Sequence, residues 1–210
     1  MKTCLRYTIA PPLILLFALS AAVADAAAQT KPTGPSKKLT VPSNVAEFAT
    51  LRSAAERGDA DAQLSLGAAY EMGHAVPQDY IQAAVWYRKA AEQGNAVAQD
   101  FLGFLYDIGR GVPEDNVQAM AWYRKAAEQG DAGAMYALGT MYVSGKGVPQ
   151  DYVEAHKWRN LAAARASTES QGEYEDARDA VARSMTSQQL AEAQKRASEW
   201  LAAFEKRQKY

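Results

Sequence analysis

The stretch AAEQGNAVAQDFLGFLYDIGRGVPEDNVQAMAWYRK, residues 90–125, decides the fold because its pattern occurs three times in the chain. Residues 54–89 and 126–161 repeat the same order of alanine, glycine, proline and tryptophan in an unbroken register of 36 residues. A fixed period of this length is typical of proteins in which pairs of helices stack into a solenoid. The sequence therefore predicts an all-α fold, an α-solenoid of antiparallel helix pairs.

Each unit is predicted to contain two helices, helix A and helix B. Helix A of the first unit follows Gly58, which is placed for a left-handed helix end, and Asp59, which is placed as an N-cap. Apolar residues then recur at every fourth position, so that they lie on one helical face. Gly73 is placed to end helix A, and the Val-Pro dipeptide at 76–77 holds the chain outside the helical region.

Helix B is predicted to begin at an aspartate in each unit, at Asp79, Asp115 and Asp151. A glutamine or glutamate follows three residues later, which is the spacing of a capping box. Aromatic residues at helical spacing usually pack inside a fold, and the following six are expected in the core: Tyr70, Tyr106, Tyr142, Trp86, Trp122 and Trp158.

Both ends of the repeat array differ from the repeated unit, as terminal units that close a solenoid usually do. Residues 44–53 align with part of helix B and are predicted to be an N-terminal half-repeat cap. Residues 162–210 are predicted to form C-terminal capping helices, namely a charged helix over 171–184 and a last helix over about 187–208.

The N-terminus has the composition of a secretory signal peptide. Basic residues precede the apolar core LILLFAL at 13–19, and small residues follow it. This core is too short for a membrane span, which needs ~20 apolar residues. We expect residues 1–28 to be removed by cleavage after Ala28, with Ala24 as the alternative. The mature protein is then periplasmic or secreted and has no membrane span.

Composition narrows the possible partners further. Residues 29–43, QTKPTGPSKKLTVPS, are rich in proline and small polar residues and are expected to form a flexible linker. The single cysteine, Cys4, lies inside the predicted signal peptide, so the mature chain is expected to lack disulfides. The net charge of −1 offers no basic face for nucleic acid.

The unit AxxxLGxxYxxGxGVPxDxxxAxxWYxKAAxxG resembles the Sel1-like repeat, a tetratricopeptide-like helix pair. Three positions depart from the pattern. Ala75 stands where the other units have Gly111 and Gly147, Asn116 replaces a tyrosine, and Asn160 replaces an arginine. The resemblance implies a right-handed solenoid that serves as a scaffold or adaptor for protein complexes. Exported bacterial members are linked to envelope signalling, host interaction and cell-wall processes.

No constellation of residues in the sequence indicates catalysis. His74 is expected in an exposed turn and His156 on a helix surface, and neither has a cysteine or second histidine at ligand spacing. The GKG at 145–147 does not lead into a helix carrying Ser or Thr after the lysine, so it is no phosphate loop. No nucleophile has an adjacent base. We therefore expect a protein that is not an enzyme and holds neither cofactor nor metal.

Candidate binding residues are those on helix A that turn away from the core stripe and vary between units. Helical-repeat proteins tend to present one helix of each pair on a concave binding surface. An exposed aromatic residue there would be an interface anchor, whereas the alternative is that these residues pack between neighbouring units. The nine candidates are Leu64, Ala68, Glu71, Asp100, Phe104, Asp107, Tyr136, Thr140 and Val143.

These observations predict an exported, monomeric scaffold or adaptor that binds another protein or peptide through the concave face of the solenoid. The alternative is a cell-wall-associated enzyme or a protein that binds β-lactams or peptidoglycan, because cysteine-rich secreted relatives have been described as binding β-lactams. Those relatives carry a disulfide in each unit, which the mature chain cannot form. A third hypothesis is a passive spacer, for which three units are short.

Overall fold

The computed structural model describes residues 39–209, in which every regular element is an α-helix. The predicted signal peptide and residues 29–38 lie outside the described residues. Each of the first seven helices packs against the next one in the chain, and the eighth and ninth helices both pack on the seventh. The described helices are α1 (Val45–Glu56), α2 (Ala60–Met72), α3 (Tyr80–Glu92), α4 (Ala96–Ile108), α5 (Asn116–Glu128), α6 (Ala132–Ser144), α7 (Tyr152–Arg165), α8 (Gln171–Ala182) and α9 (Ser187–Gln208).

The chain is an α-solenoid of antiparallel helix pairs, as the period predicts. Helix A of the three units is α2, α4 and α6, and helix B is α3, α5 and α7. The predicted N-caps accept hydrogen bonds from free backbone N–H groups, for example Asp131 from Ala134 at 2.8 Å. Each helix A ends at a glycine of positive φ, and these are Gly73, Gly109 and Gly145.

The capping box predicted for helix B is only half formed. The carboxylate of Asp79 accepts from the backbone N–H of Gln82 at 3.0 Å, as predicted. The N–H of Asp79 does not turn to the Gln82 side chain, because it donates to the Tyr70 carbonyl at 2.9 Å. The backbone N–H groups of Asp115 and Asp151 likewise donate to the carbonyl of the equivalent tyrosine in their own units. This bond fastens the start of helix B to the end of helix A within each unit.

All six aromatic residues expected in the core are buried or pack against it. Trp86, Trp158 and Tyr142 are buried, while Tyr70, Tyr106 and Trp122 are partly buried and pack against the core clusters. Another fully buried ring belongs to Tyr87. A Cβ at Gly67 would lie 2.6 Å from this ring, so the mid-helix glycine marks the close crossing of helices A and B that its recurrence predicts.

Buried glutamines join the first unit to the second. The side-chain amide of Gln63 donates to the Ala55 carbonyl at 3.0 Å, and its oxygen accepts from Gln93 at 2.7 Å. One unit later the same bonds recur at Gln99, Ala91 and Gln129. Each buried glutamine thus donates a hydrogen bond to a carbonyl at the end of the preceding helix. Its own side-chain oxygen accepts a hydrogen bond from the glutamine at the end of the following helix B.

The third unit ends this glutamine row. Met135 takes the place of the glutamine and is fully buried. Arg165 takes the place of Gln129, and its Nε donates directly to the Gly130 carbonyl at 2.8 Å. The Arg165 guanidinium also lies 4.6 Å from the centre of the Phe204 ring on α9. The row therefore stops where the C-terminal cap begins.

The C-terminal cap consists of α8 and α9. Helix α9 begins with a complete capping box between Thr186 and Gln189. Its Trp200 meets Trp158 edge-on at 5.9 Å between ring centres, and Arg196 forms an ion pair with Glu154 at 2.9 Å. These contacts cover the exposed end of the third unit.

Residues 39–43 correct the prediction of a flexible linker over 29–43. Leu39 and Val41 pack against the hydrophobic cluster that contains Leu64 and Ala68 of α2. The backbone N–H of Thr40 donates to Ser65 Oγ at 3.2 Å, and the next proline is buried. We call residues 39–43 the strap. The prediction rested on proline content, which favours an extended chain. Proline content does not show whether that chain packs on a surface elsewhere in the molecule.

Candidate interaction surface

The nine candidate residues form three sections of one surface, which we call the helix A face. The first section consists of Leu64, Ala68 and Glu71 on α2. The second consists of Asp100, Phe104 and Asp107 on α4, and the third of Tyr136, Thr140 and Val143 on α6. The sections differ in how much of them is accessible.

In the first section two candidates are not surface residues. Leu64 is 6% exposed and Ala68 is fully buried, which corrects the prediction that they face outward on an open binding surface. They belong to a cluster with Tyr87, and the strap packs against the same cluster. The alternative prediction, that variable helix A positions pack inside the molecule, is correct at these two positions.

Glu71 lies at the edge of the first section. Its carboxylate accepts a hydrogen bond from the Tyr87 hydroxyl at 2.5 Å. Burial raises the pKa of Glu71 above its ordinary value, although the Tyr87 hydroxyl and the charge of Arg110 act in the opposite direction. Glu71 thus has an internal role in holding Tyr87.

The second section is partly exposed and acidic. The carboxylates of Asp100 and Asp131 lie together beside Gly133, where a Cβ would be 3.3 Å from an oxygen of each. Burial and the neighbouring Asp131 carboxylate raise the pKa of Asp100 well above its ordinary value. Within the described part of the chain, no basic side chain forms an ion pair with Asp100.

Phe104 and Asp107 complete the second section. Phe104 is half-buried and packs against the clusters on both of its sides, so part of its ring serves packing between units. Asp107 lies 3.7 Å from Lys146 Nζ of the third unit. Burial is the main cause that raises the pKa of Tyr123 well above its ordinary value, and the charges of Asp100 and Asp107 act in the same direction.

The third section is partly covered by the C-terminal cap. The Tyr136 ring stacks on Tyr174 of α8 at 4.6 Å between ring centres, and the Arg159 guanidinium lies 5.7 Å from its centre. Thr140 is exposed, and its hydroxyl donates to the Tyr136 carbonyl of its own helix. Val143 is half-buried against the third-unit core. The strap and α8 therefore occupy the two ends of the helix A face, and the second section lies between them.

The structure corrects one histidine prediction. His156 is 3% exposed and not on the surface, because α8 packs over this part of α7. Burial lowers the pKa of His156, and the charge of Arg178 lowers it further. His74 lies exposed in the loop after α2, as expected.

Neither a metal cluster nor a membrane-spanning helix is found in the region that the structure describes. Over residues 39–209, no three of the side chains of His, Cys, Asp and Glu are grouped to hold a metal ion. No helix in this range is both long and apolar enough to cross a membrane.

A row of exposed aliphatic residues was missed by the sequence analysis. Val45, Ile81 and Val117 are 72%, 63% and 66% exposed. They lie at the start of α1, α3 and α5, 36 residues apart, so the period itself could have found them. The strap gave a weaker signal, since Leu39 and Val41 show only a single alternation of apolar and polar residues.

The fold and this surface define the class of the protein as a helical-repeat scaffold. The Sel1 repeat family matches residues 60–95, 96–131 and 132–167, just over half of the chain. The chain therefore belongs to the Sel1 repeat family, whose repeats generally serve as scaffolds for protein interactions. The matched segments begin at α2, α4 and α6, whereas the units predicted from sequence begin at 54, 90 and 126, with the same period.

Two solved structures are similar to the chain. A Sel1 repeat protein from Oxalobacter formigenes is 38% identical over 57% of this chain, with a TM-score of 0.55. A protective antigen present in uropathogenic Escherichia coli strains, which displays an SLR fold, is 34% identical over 76% of this chain, with a TM-score of 0.58. The chain covers 34% of the length of each of them. No curated protein matches the chain.

Proposed function

We propose that the protein is an exported, monomeric interaction scaffold that binds another protein or peptide on the second section of its helix A face. Export is supported by the apolar core at 13–19 and the small residues that follow it. Binding in place of catalysis is supported by the family, whose repeats generally serve as scaffolds.

One observation carries the choice of surface. Asp100, Phe104 and Asp107 are partly exposed between two ends of the same face that the strap and α8 occupy. An aromatic ring set among carboxylates suits a partner that presents an apolar side chain next to a basic one, because aromatic residues dominate interface energies and complementary charge guides association. A basic side chain would also relieve the crowding of Asp100 and Asp131.

A capture experiment with matched charge reversals tests the surface. Residues 29–210 are used to retain proteins from an envelope extract, beside Asp100→Lys and the control Asp176→Lys, which changes an exposed carboxylate of α8. We expect at least one protein to be retained by the parent and the control, and to be lost with Asp100→Lys. Retention of the same proteins by all three would place the binding surface elsewhere.

Export and oligomeric state have separate tests. The full chain is expressed in a bacterium, the cells are fractionated, and the N-terminus is read by mass spectrometry. We expect protein beginning at Gln29 outside the cytoplasm, and light scattering with the mass of one mature chain. A chain that keeps residues 1–28 in the cytoplasm would contradict the export proposal.

A further inference from the structure

The strap lies on α2 in the manner of a bound extended peptide. Leu39 and Val41 pack towards the hydrophobic cluster, whereas Thr40 between them is exposed. Alternate residues of an extended chain point to opposite sides, so this pattern places two apolar side chains on the surface of α2. The Thr40 N–H reaches Ser65 Oγ at 3.2 Å, which adds a bond from the strap backbone.

The first unit has space for this segment because its side chains are small. Ser65 and Ala68 lie where the second unit has Phe101 and Phe104, one period later. Phe101 stacks on Tyr87 at 4.9 Å and packs with Phe104 against the cluster that the strap also contacts. The strap therefore covers, on the first unit, an apolar surface that the second unit covers with its own rings.

We propose that the first section of the helix A face is a docking groove for extended peptide segments, and that the strap is its resident intramolecular ligand. This inference rests on the proposed function and names the chemistry of the partner. The partner segment is extended, carries apolar side chains at two alternate positions followed by proline, and donates a backbone N–H to Ser65. Such a segment competes with the strap.

Competition with the strap lowers the affinity of the groove for an external peptide. The strap leads directly into α1 through the N-cap residue Asn44, so it is held beside the groove at a high effective concentration. An external peptide must therefore bind the parent protein weakly and bind a variant with a disabled strap more strongly.

A peptide binding assay tests the groove. The probe is the fluorescein-labelled peptide SKKLTVPSN, which copies residues 36–44. The proteins are residues 29–210, either unchanged or with the strap disabled by Leu39→Asp and Val41→Asp. We expect fluorescence anisotropy to show binding to the disabled variant at least tenfold tighter than to the parent. A peptide with aspartate at the same two positions serves as the control and should not bind.

A groove-filling substitution locates the bound peptide. Ala68→Phe, added to the disabled variant, copies the second unit and should abolish peptide binding while circular dichroism shows unchanged helix content. Equal binding with and without Ala68→Phe would overturn the proposal, because the peptide would then bind elsewhere.

The remaining outcomes also decide the question. If the disabled variant keeps its helices and does not bind the peptide, the strap is a fixed cap of the first unit and not a ligand. If the disabled variant unfolds, the strap is required for folding, which a displaceable segment cannot be. None of these results affects the capture experiment on Asp100, so a failure of this inference is distinguishable from a failure of the proposed function.

Discussion

The first and second repeat units cap their helices at the same positions and have the same glutamine bonds, yet their helix A faces are different. In the first unit Leu64 and Ala68 are buried beside the strap, whereas in the second unit Asp100 and Phe104 stay partly exposed. The loops before helix B differ as well, with Ala75 in one and Gly111 in the other. The residue type is the same in both units at positions that hold the two helices of a pair together. It differs at positions that contact something outside the pair. The following substitutions exchange features between the units.

The largest effect on stability is expected when the loop before helix B of the second unit is given the alanine of the first unit. Ala75 and Gly111 share a left-handed backbone, with φ of 62° and 69°. A Cβ at Gly111 would overlap the Tyr80 carbonyl of the preceding helix B. Gly111→Ala should therefore lower the free energy of unfolding by about 3 kcal/mol through steric overlap and backbone strain, measured by urea denaturation.

Gly58→Ala is the matched control for this steric effect. Gly58 has a φ of 97°, but no atom would lie within 4 Å of an added Cβ. Only the strain of a left-handed alanine remains, which is about 1 kcal/mol. Equal losses at the two positions would show that the backbone conformation, and not the Tyr80 carbonyl, requires the glycine at 111.

A smaller loss is expected when the second unit is given the methionine of the third. Gln99→Met leaves the Ala91 carbonyl and the Gln129 side chain without their buried partner. An unsatisfied buried polar group costs about 1–3 kcal/mol, so we expect a loss of roughly 2 kcal/mol in urea denaturation. Adding Gln129→Arg should recover part of it, because Arg165, at this position in the third unit, donates to the Gly130 carbonyl and needs no glutamine partner. A double variant less stable than the single one would contradict this exchange.

Asp100 of the second section should make the free energy of unfolding depend on pH. The pKa of Asp100 is raised in the folded protein, so its ionisation opposes folding once the pH rises above the ordinary aspartate range. Asp100→Asn should raise the free energy of unfolding near pH 7 by about 1 kcal/mol, and the gain should disappear in acid. Asp176→Asn, at an exposed position, is the control. Equal gains at all pH values would exclude the ionisation of Asp100 as the cause.

The smallest effect is expected from the reverse exchange in the loop of the first unit. Ala75→Gly removes the strain of a left-handed alanine but adds conformational freedom to the unfolded chain. The net result should be a gain of about 0.5 kcal/mol in the free energy of unfolding. Thermal denaturation followed by circular dichroism measures it, and a loss would mean that the packing of the Ala75 methyl group outweighs its backbone strain.

The fold could be predicted largely because the residues that start and end each helix lie close together in the sequence and recur in every unit. The N-cap at Asp59 and the left-handed ends at Gly58 and Gly73 depend on residues within one turn of the helix end. Long-range partners were missed. The Asp79 N–H selects the Tyr70 carbonyl over Gln82, and His156 is covered by a helix that starts 15 residues later.

The candidate surface was predicted less well than the fold. Position on helix A correctly placed Thr140 at the surface, but the same reasoning placed Ala68 there too. The two residues are equivalent by period, but other segments of the chain pack over Ala68 and leave Thr140 exposed. Neither the strap on α2 nor Tyr174 on α8 belongs to the repeat, so no pattern in the repeat could predict their contacts.

By itself the sequence determined the helix pairs, their caps, the period of 36 residues and the glycines where helices cross, because each depends on residue type and spacing along one chain segment. Only the tertiary structure decided which part of the helix A face is open. That choice depends on contacts between segments far apart in the chain, such as Thr40 with Ser65 and Tyr136 with Tyr174. Packing of this kind brings together surfaces whose shapes fit, and spacing along the chain does not encode such a fit.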